Sequence, residues 1–183
     1  VEELQIPGNH NLENALAACA IAHFAGIDAD VIAKVLREFQ GVEHRIELCN
    51  EIDGIRFVND SKGTNPDAAI RAIEAMKRDI ILIAGGYDKG ASFDEFVSAF
   101  DGKVKALVLL GKTATKIKDA AEKAGFTNTV ILKDMEACVR EAYRLAESGD
   151  VVLLSPACAS WDMYTSFEQR GEHFKACVRE LER

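Results

Sequence analysis

Hydrophobic and polar positions follow two different patterns on either side of residue 42. Residues 12–25 are apolar on almost every side of a predicted helix, and residues 31–39 carry one apolar face after Asp28, a helix-capping residue. A helix without a polar face is normally buried, so we expect the first one to be covered. Because about 40 residues with helices alone are too few to form a core, we interpret 1–42 as the end of a preceding domain.

Short apolar strands alternate with helices from residue 45 onwards. The turn signal Asp53-Gly54 separates the first two strands and predicts a hairpin. Strands that are apolar on both faces and alternate with helices are typical of a parallel sheet covered on both sides. We predict a doubly wound, mostly parallel, Rossmann-like α/β sheet with helices on both faces over 43–183. The predicted strands are 45–49, 55–59, 80–84, 106–110, 130–132 and 151–154. One helix is predicted to begin at residue 66, and four others are predicted at 93–100, 113–124, 135–146 and 167–181.

Composition and charge narrow the range of partners. The chain has 183 residues, with 22 Lys and Arg against 30 Asp and Glu, a formal net charge of −8. Nucleic acids and anionic membranes need a basic face, so we expect neither as a partner. Five scattered cysteines without a C-x-x-C pair favour free thiols in a reducing compartment, the cytoplasm. The first residue is Val rather than Met, and we expect a segment of a longer protein.

Polar residues and glycines follow several predicted strands, at the edge where open parallel sheets bind ligands. Loops 60–65, 85–90 and 155–160 carry Lys62, Lys89 and Ser160. Backbone N–H groups, hydroxyls and lysines suit a small anionic ligand. Gly, Asp and Ser also follow strands in any α/β protein because turns and caps favour them. The alternative that these loops are purely structural therefore stays open.

Two familiar patterns are rejected. Gly111-Lys112-Thr113 resembles the end of a phosphate-binding P-loop, but the position five residues earlier is Ala106 inside a strand, so we expect Lys112 to be solvated. No G-x-G-x-x-G follows a strand, so a dinucleotide cofactor is unsupported. The histidines show no metal-ligand spacing, and His23 is interpreted as a core histidine.

Six sequence blocks occur in an order that resembles the Mur ligase family. They are GNHNLENALAA (8–18), EHRIE (43–47), NDSKGTNP (59–66), GGYDKG (85–90), SPACASWD (155–162) and FEQRG (167–171). The last three are most similar to the family members that add D-glutamate. The resemblance implies ATP-dependent amide-forming ligases of peptidoglycan synthesis, built from three domains. This chain resembles the end of the central ATPase domain (1–42) and the C-terminal domain (43–183), which would be inactive without the rest.

The resemblance also implies roles for individual residues. The ATP-binding positions are Asn11, Asn14, Arg45, Asp60 and Lys62, with Lys62 also catalytic through its charge. The D-glutamate-binding positions are Thr64, Lys89, Ser160, Trp161 and Phe167, with Trp161 acting through its backbone. Structural alternatives are a core amide for Asn14, an ion pair with Glu43 or Glu47 for Arg45, and packing of the last helix for Trp161 and Phe167.

Cofactors, partners and competing functions follow from the same resemblance. It implies ATP with Mg²⁺ held by other domains, no metal ligands in this segment, and UDP-N-acetylmuramoyl-L-alanine and D-glutamate as substrates of a monomeric enzyme. Two alternatives stay open. One is another ligase of the superfamily, such as a folylpolyglutamate synthase; the other is a stand-alone binding module descended from such a ligase. If the apolar first helix lacks its parent domain, we expect it to pack on the sheet or to form dimers.

Overall fold

The computed structural model describes residues 3–182 as a six-stranded sheet with helices on both faces. The strands are β1 (Glu47–Ile52), β2 (Ile55–Asn59), β3 (Ile80–Gly85), β4 (Val104–Leu110), β5 (Thr129–Ile131) and β6 (Val151–Leu154). The helices are α1 (Asn9–Phe24), α2 (Ala29–Glu38), α3 (Pro66–Ala75), α4 (Asp94–Ser98), α5 (Ala114–Lys123), α6 (Met135–Leu145) and α7 (Phe167–Glu180). The strand order is β1-β2-β6-β3-β4-β5, and only β1 is antiparallel to its neighbour among the paired strands. The predicted mostly parallel α/β fold is confirmed.

The sheet is buried on both sides because its strands are apolar at successive positions. Alternate side chains point to opposite faces of a strand. One set, including Leu82 and Leu109, packs with α3, α4 and α5. The other set, including Ile83 and Val108, packs with α6 and α7. This two-sided burial is the reason that the strand sequences show no alternation.

The β1–β2 hairpin is confirmed, but β1 begins two residues later than predicted. Asp53 and Gly54 both have positive φ, 52° and 78°, as a tight hairpin turn requires. The predicted start at residue 45 is wrong because His44 and Ile46 also have positive φ, 63° and 47°. A left-handed conformation is costly for a β-branched residue such as Ile46. It interrupts the extended backbone and leaves Arg45 outside the strand.

The position of β6 in the sheet determines what meets at its carboxyl edge. The chain runs outward from β3 to β5 and then returns to insert β6 between β2 and β3. All three of these strands are parallel to one another. The loops that follow them therefore emerge side by side.

Residues 3–42 form a helical pair with much of its apolar surface exposed. Of α1, only Asn11 and Ala15 are buried, while Leu16, Ile21 and Phe24 are 60%, 72% and 89% exposed. The expectation of a covered helix is thus wrong for residues 3–182, since α1 packs mainly on α2. The interpretation of His23 as a core histidine is also wrong: its ring is exposed and lies against Phe24. None of the described helices has the length and apolar character to span a membrane.

Candidate functional site

The loops that follow β3 and β6 are joined by backbone hydrogen bonds. The N–H of Tyr87 donates to the Ala159 carbonyl at 2.8 Å, and the N–H of Ala159 donates back at 3.0 Å. The N–H of Gly85 donates to the carbonyl of Pro156 at 2.8 Å. Gly86 permits this approach, because a Cβ there would lie 2.4 Å from the Ala159 oxygen. The loop that contains Lys89 is thus fixed against the loop that contains Ser160.

A buried arginine ties the β2 loop to the β6 loop. Arg170, in the first turns of α7, is 2% exposed. Its guanidinium donates to the hydroxyl and the carbonyl of Ser61, at 3.0 and 2.8 Å, and to the carbonyl of Cys158 at 3.1 Å. The Ser61 hydroxyl in turn donates to the carbonyl of Phe167 at 2.7 Å. Burial lowers the pKa of Arg170 to about 10, and it forms no ion pair with a carboxylate of residues 3–182.

Asp60 is a buried carboxylate at the end of β2. It accepts a hydrogen bond from the Ser155 hydroxyl at 2.7 Å and one from the Ile46 N–H at 3.3 Å. Burial raises the pKa of Asp60 to about 6, although these hydrogen bonds oppose the shift. Gly63 leaves room for the carboxylate, because a Cβ there would lie 2.5 Å from its Oδ2.

A cavity of about 320 Å³ brings Asp60 together with Arg45 and Lys62. Its lining also includes His10 and Arg71, which the sequence motifs did not single out as site residues. Burial, followed by the charges of Arg71 and Arg45, lowers the pKa of His10. The cavity lining therefore carries cationic side chains and the carboxylates of Asp60 and Asp67, a combination suited to an anion that also bears hydroxyl groups.

Arg45 does not form the ion pair that was considered for it. Among the described residues, the acidic partners are taken by Lys175, whose ammonium lies 2.7 Å from Glu172 and 3.3 Å from Glu47 and also contacts Glu43. The side chains of Glu43, His44 and Glu172 lie close enough to one another to share a cation, and the Lys175 ammonium contacts both of these glutamates. This acidic cluster is neutralised by a lysine of the chain itself.

Of the two asparagines of α1, Asn11 lines a second cavity, whose lining includes neither Asp60 nor Lys62. Asn11 is buried and donates to the Pro7 carbonyl at 2.7 Å. It lines a cavity of about 930 Å³ that shares Arg45 with the first one. Asn14 is exposed, and its amide lies 3.5 Å from Asn11 Oδ1. The alternative of a core amide at Asn14 is therefore wrong in this structure.

Of the five residues expected at the amino acid, Phe167 contacts Lys62, and Trp161 contacts Lys89. Lys62 lies over the Phe167 ring, 5.4 Å from its centroid, and the half-buried Thr64 follows in the same loop. Lys89 lies over the Trp161 ring, 4.8 Å from its centroid. The alternative that Trp161 packs with α7 is wrong, since its side chain is 63% exposed. Ser160 is buried directly before Trp161, and no described residue hydrogen-bonds to its hydroxyl.

Most of the sheet domain matches a known protein family. The family described as "Mur ligase, glutamate ligase domain" matches residues 44–158, the stretch that contains the β2 and β3 loops and the first part of the β6 loop. The chain belongs to the Mur ligase family. It is similar over its whole length to the UDP-N-acetylmuramoylalanine–D-glutamate ligase of Thermoanaerobacter sp. (strain X514), with 60% identity. The same enzyme of Clostridioides difficile is 54% identical over 98% of this chain. The chain spans about 40% of the length of these curated relatives.

Solved structures of Mur ligases and related enzymes share the fold. The UDP-N-acetylmuramate–alanine ligase of Thermotoga maritima aligns with a TM-score of 0.74 at 20% identity, covering 97% of this chain and 40% of that chain. A folylpolyglutamate synthase of Mycobacterium tuberculosis, solved with ADP, aligns with a TM-score of 0.70 at 14% identity, covering 93% of this chain and 41% of that chain. The Mur ligase fold thus extends over nearly the whole chain.

Sequence reasoning missed Ser155 and Arg170, although both lie inside blocks that resemble the Mur ligase family. Each is a buried polar side chain whose partners come from a distant part of the sequence, 95 residues away for Ser155 and up to 109 for Arg170. The available signal was a serine and an arginine next to otherwise apolar segments. Polar groups at such positions need partners, but their spacing does not identify which.

Proposed function

We propose that this chain is the amino-acid-binding part of an ATP-dependent ligase that joins D-glutamate to UDP-N-acetylmuramoyl-L-alanine. The observation that carries the proposal is the backbone pairing of Tyr87 with Ala159, which fixes the Lys89 loop against the Ser160 loop. These loops emerge next to the loop that contains Lys62, because β6 lies between β2 and β3. The similar enzymes of Thermoanaerobacter sp. and Clostridioides difficile are named for the same reaction.

In this proposal D-glutamate binds between two lysine-containing loops. Lys89 and Ser160 hold its side-chain carboxylate, because an ammonium and a hydroxyl are both donors to an anion. Thr64 lines the same pocket, and the Phe167 ring closes its apolar side. Lys89 forms no ion pair with a carboxylate of the described residues, so its charge is available.

ATP extends over the two cavities that share Arg45, with its ribose and phosphates in the one that contains Asp60 and its adenine towards the one that Asn11 lines. The cationic lining fits a polyphosphate, and the buried Asp60 carboxylate is suited to accept hydrogen bonds from ribose hydroxyls. Arg45 and Lys62 hold the phosphates, while Asn11 and Asn14 bind the adenine. Mg²⁺ neutralises phosphate charge when it is bound, and its ligands lie in the other domains.

The reaction forms an amide through an acyl phosphate. The terminal carboxylate of UDP-N-acetylmuramoyl-L-alanine attacks the γ-phosphorus of ATP, and ADP leaves as the acyl phosphate forms. The amine of D-glutamate then attacks the acyl carbon, and phosphate leaves as the C–N bond forms and a proton is released. Lys62 is the catalytic residue of this segment, because its ammonium offsets the negative charge that develops on the transferred group. No protein nucleophile is needed.

The proposal includes the wider context of the chain. Residues 1–42 are the end of a central ATPase domain and residues 43–183 the C-terminal domain of a monomeric cytoplasmic enzyme. The exposed apolar side chains of α1 support this division, because the similar enzymes are more than twice as long and have further chain to cover them. The product would serve peptidoglycan synthesis, and through it cell shape and division.

Alanine substitutions in the full-length enzyme test the proposal. We expect Lys89→Ala and Ser160→Ala to raise the KM for D-glutamate, by roughly tenfold or more for the lysine, since a hydrogen bond to a charged group is lost. The KM for ATP should stay within about twofold. Lys112→Ala is the matched control, an exposed lysine in the loop after β4. An unchanged KM for D-glutamate in both site variants would reject the assignment.

A further inference from the structure

The side chain of Trp161 lies against the lysine of the proposed D-glutamate pocket. The Lys89 ammonium is 4.8 Å from the centroid of the indole. The Tyr87 ring borders the same indole at 5.9 Å, with an interplanar angle of 45°. Although 63% of Trp161 is exposed, it thus has two specific contacts, both to the loop after β3. These contacts indicate a role for the side chain as well as for the backbone.

Lys89 has no competing carboxylate in its own loop. The neighbouring Asp88 accepts hydrogen bonds from the N–H groups of Gly90 and Ala91, both at 2.8 Å. Asp88 also forms an ion pair with Lys116. Among residues 3–182, no acidic group forms an ion pair with the Lys89 ammonium. The indole is therefore its neighbour in place of an anion.

An aromatic neighbour differs from a carboxylate because it leaves the positive charge of the lysine available to a ligand. A ring attracts an ammonium through its negative face but does not neutralise its charge. A lysine side chain is long and flexible, and immobilising such a side chain on binding is unfavourable in entropy. Contact with the indole restricts Lys89 in advance while leaving its charge available. The paired backbones of Tyr87 and Ala159 keep the indole and Ser160 in a constant relation to this lysine.

We propose that the Trp161 indole is a positioning residue for amino-acid binding, holding the Lys89 ammonium beside Ser160 so that an acidic side chain meets an oriented cation. The inference rests on the proposed function and adds a side-chain role at a position expected to act only through its backbone. It predicts that Trp161 affects the affinity for D-glutamate and not the chemical step.

Kinetics of full-length variants test the inference. Trp161→Leu should raise the KM for D-glutamate by about two- to fivefold, the range expected for an exposed cation–π contact. Trp161→Phe should raise this KM less than Trp161→Leu does, because a phenyl ring still attracts a cation, although less strongly than an indole. The kcat and the KM for ATP should not change. In a Lys89→Met background, Trp161→Leu should cause no further rise in the KM for D-glutamate.

The outcomes separate this inference from the proposed function. An effect of Lys89→Met on the KM for D-glutamate, with none of Trp161→Leu, would overturn the inference and leave the proposed function intact. No effect of Lys89→Met would overturn the proposed function itself.

Tryptophan fluorescence tests the contact directly, because Trp161 is the single tryptophan of the 183 residues. We expect Lys89→Met to change its emission spectrum in this chain and Lys112→Met to leave it unchanged. Circular dichroism would show that both variants are folded. An identical spectrum in all three proteins would overturn the contact on which the inference depends.

Discussion

Asp60 illustrates how the environment of a single residue is adapted to binding. Its carboxylate is buried, which favours the protonated form, while the Ser155 hydroxyl favours the charged form. Because its pKa is raised to about 6, the folded chain binds a proton more readily than the unfolded chain. The contribution of Asp60 to the free energy of unfolding therefore falls as the pH rises from about 4 to 6. At neutral pH the carboxylate is charged and buried, and the hydrogen bonds from Ser155 and Ile46 do not fully offset the unfavourable effect of its burial.

The pH dependence of nucleotide binding should follow this group. We expect the KM of the full-length enzyme for ATP to rise as the pH falls through about 6, because protonated Asp60 is a poorer acceptor for ribose hydroxyls. Asp60→Asn should have a raised KM without this pH dependence. The measurement is KM for ATP between pH 5 and 8, and a wild-type profile that is flat across about pH 6 would contradict the role of Asp60.

Ser155→Ala extends the same measurement. Losing the hydroxyl removes a hydrogen bond to the charged form, so the midpoint of the profile should move to higher pH by about half to one unit. Ser92→Ala is the matched control, since the Ser92 hydroxyl donates to Asp94 at 2.8 Å on the surface. A midpoint that stays in place in Ser155→Ala would show that the hydroxyl does not act on Asp60.

The contacts between loops are the features that local sequence patterns could not predict. Helix starts followed from caps such as Asp28, whose side chain accepts from the Asp30 N–H as the cap pattern predicts. The strand order could not be predicted from local patterns, because local periodicity contains no information on whether β6 lies at the edge or between β2 and β3. The motif resemblance placed candidate residues in the right loops. It could not show that Lys89 contacts an indole or that Arg170 joins Ser61 to Cys158.

Gly86 provides a test of how closely two of these loops must meet. Its φ is +138°, and an added Cβ would lie 2.4 Å from the Ala159 oxygen. We expect Gly86→Ala to separate the Tyr87–Ala159 pairing and to raise the KM for D-glutamate severalfold, with a loss of stability of about 1–3 kcal/mol.

The control is Gly102→Ala, at a φ of +72° with no atom within 4 Å of the added Cβ. It introduces backbone strain without the clash, so stability should fall while the KM for D-glutamate is unchanged. Kinetics and chemical denaturation of both full-length variants provide the comparison. An equal KM in the two variants would mean that the loop contact does not influence the amino-acid site.

For the whole molecule, the two segments have opposite surface properties. The sheet domain buries its apolar side chains on both faces, whereas α1 exposes several large ones within a few turns. Their exposed fractions are 60% for Leu16, 72% for Ile21 and 89% for Phe24. Large apolar side chains that are this exposed on one helix are normally covered by protein. The expectation that α1 packs on the sheet is wrong here, so the alternative is association between chains.

We predict that the 183-residue chain on its own forms dimers through α1. Replacing Ile21 and Phe24 with aspartate should yield a monomer, because charges at these positions oppose burial. Ile131→Asp is the control, at an isoleucine that is 44% exposed on the edge strand β5. Light scattering over a range of concentrations provides the measurement, and an unmodified chain that stays monomeric throughout would contradict the prediction.

The hydrogen bonds of Arg170 have a consequence for engineering altered substrate preference. Its guanidinium joins Ser61 in one loop to Cys158 in another, and α7 supplies the arginine. A chimera that imports only residues 155–160 from a ligase with a different amino-acid preference would combine a foreign loop with the native Arg170 and Ser61, and the hydrogen bond from Arg170 to the carbonyl at position 158 would be at risk. Exchange of the two loops together with the start of α7 preserves these bonds. A new amino-acid specificity is therefore expected to transfer when the β2 loop, the β6 loop and the start of α7 are exchanged together, and not when one loop is exchanged alone.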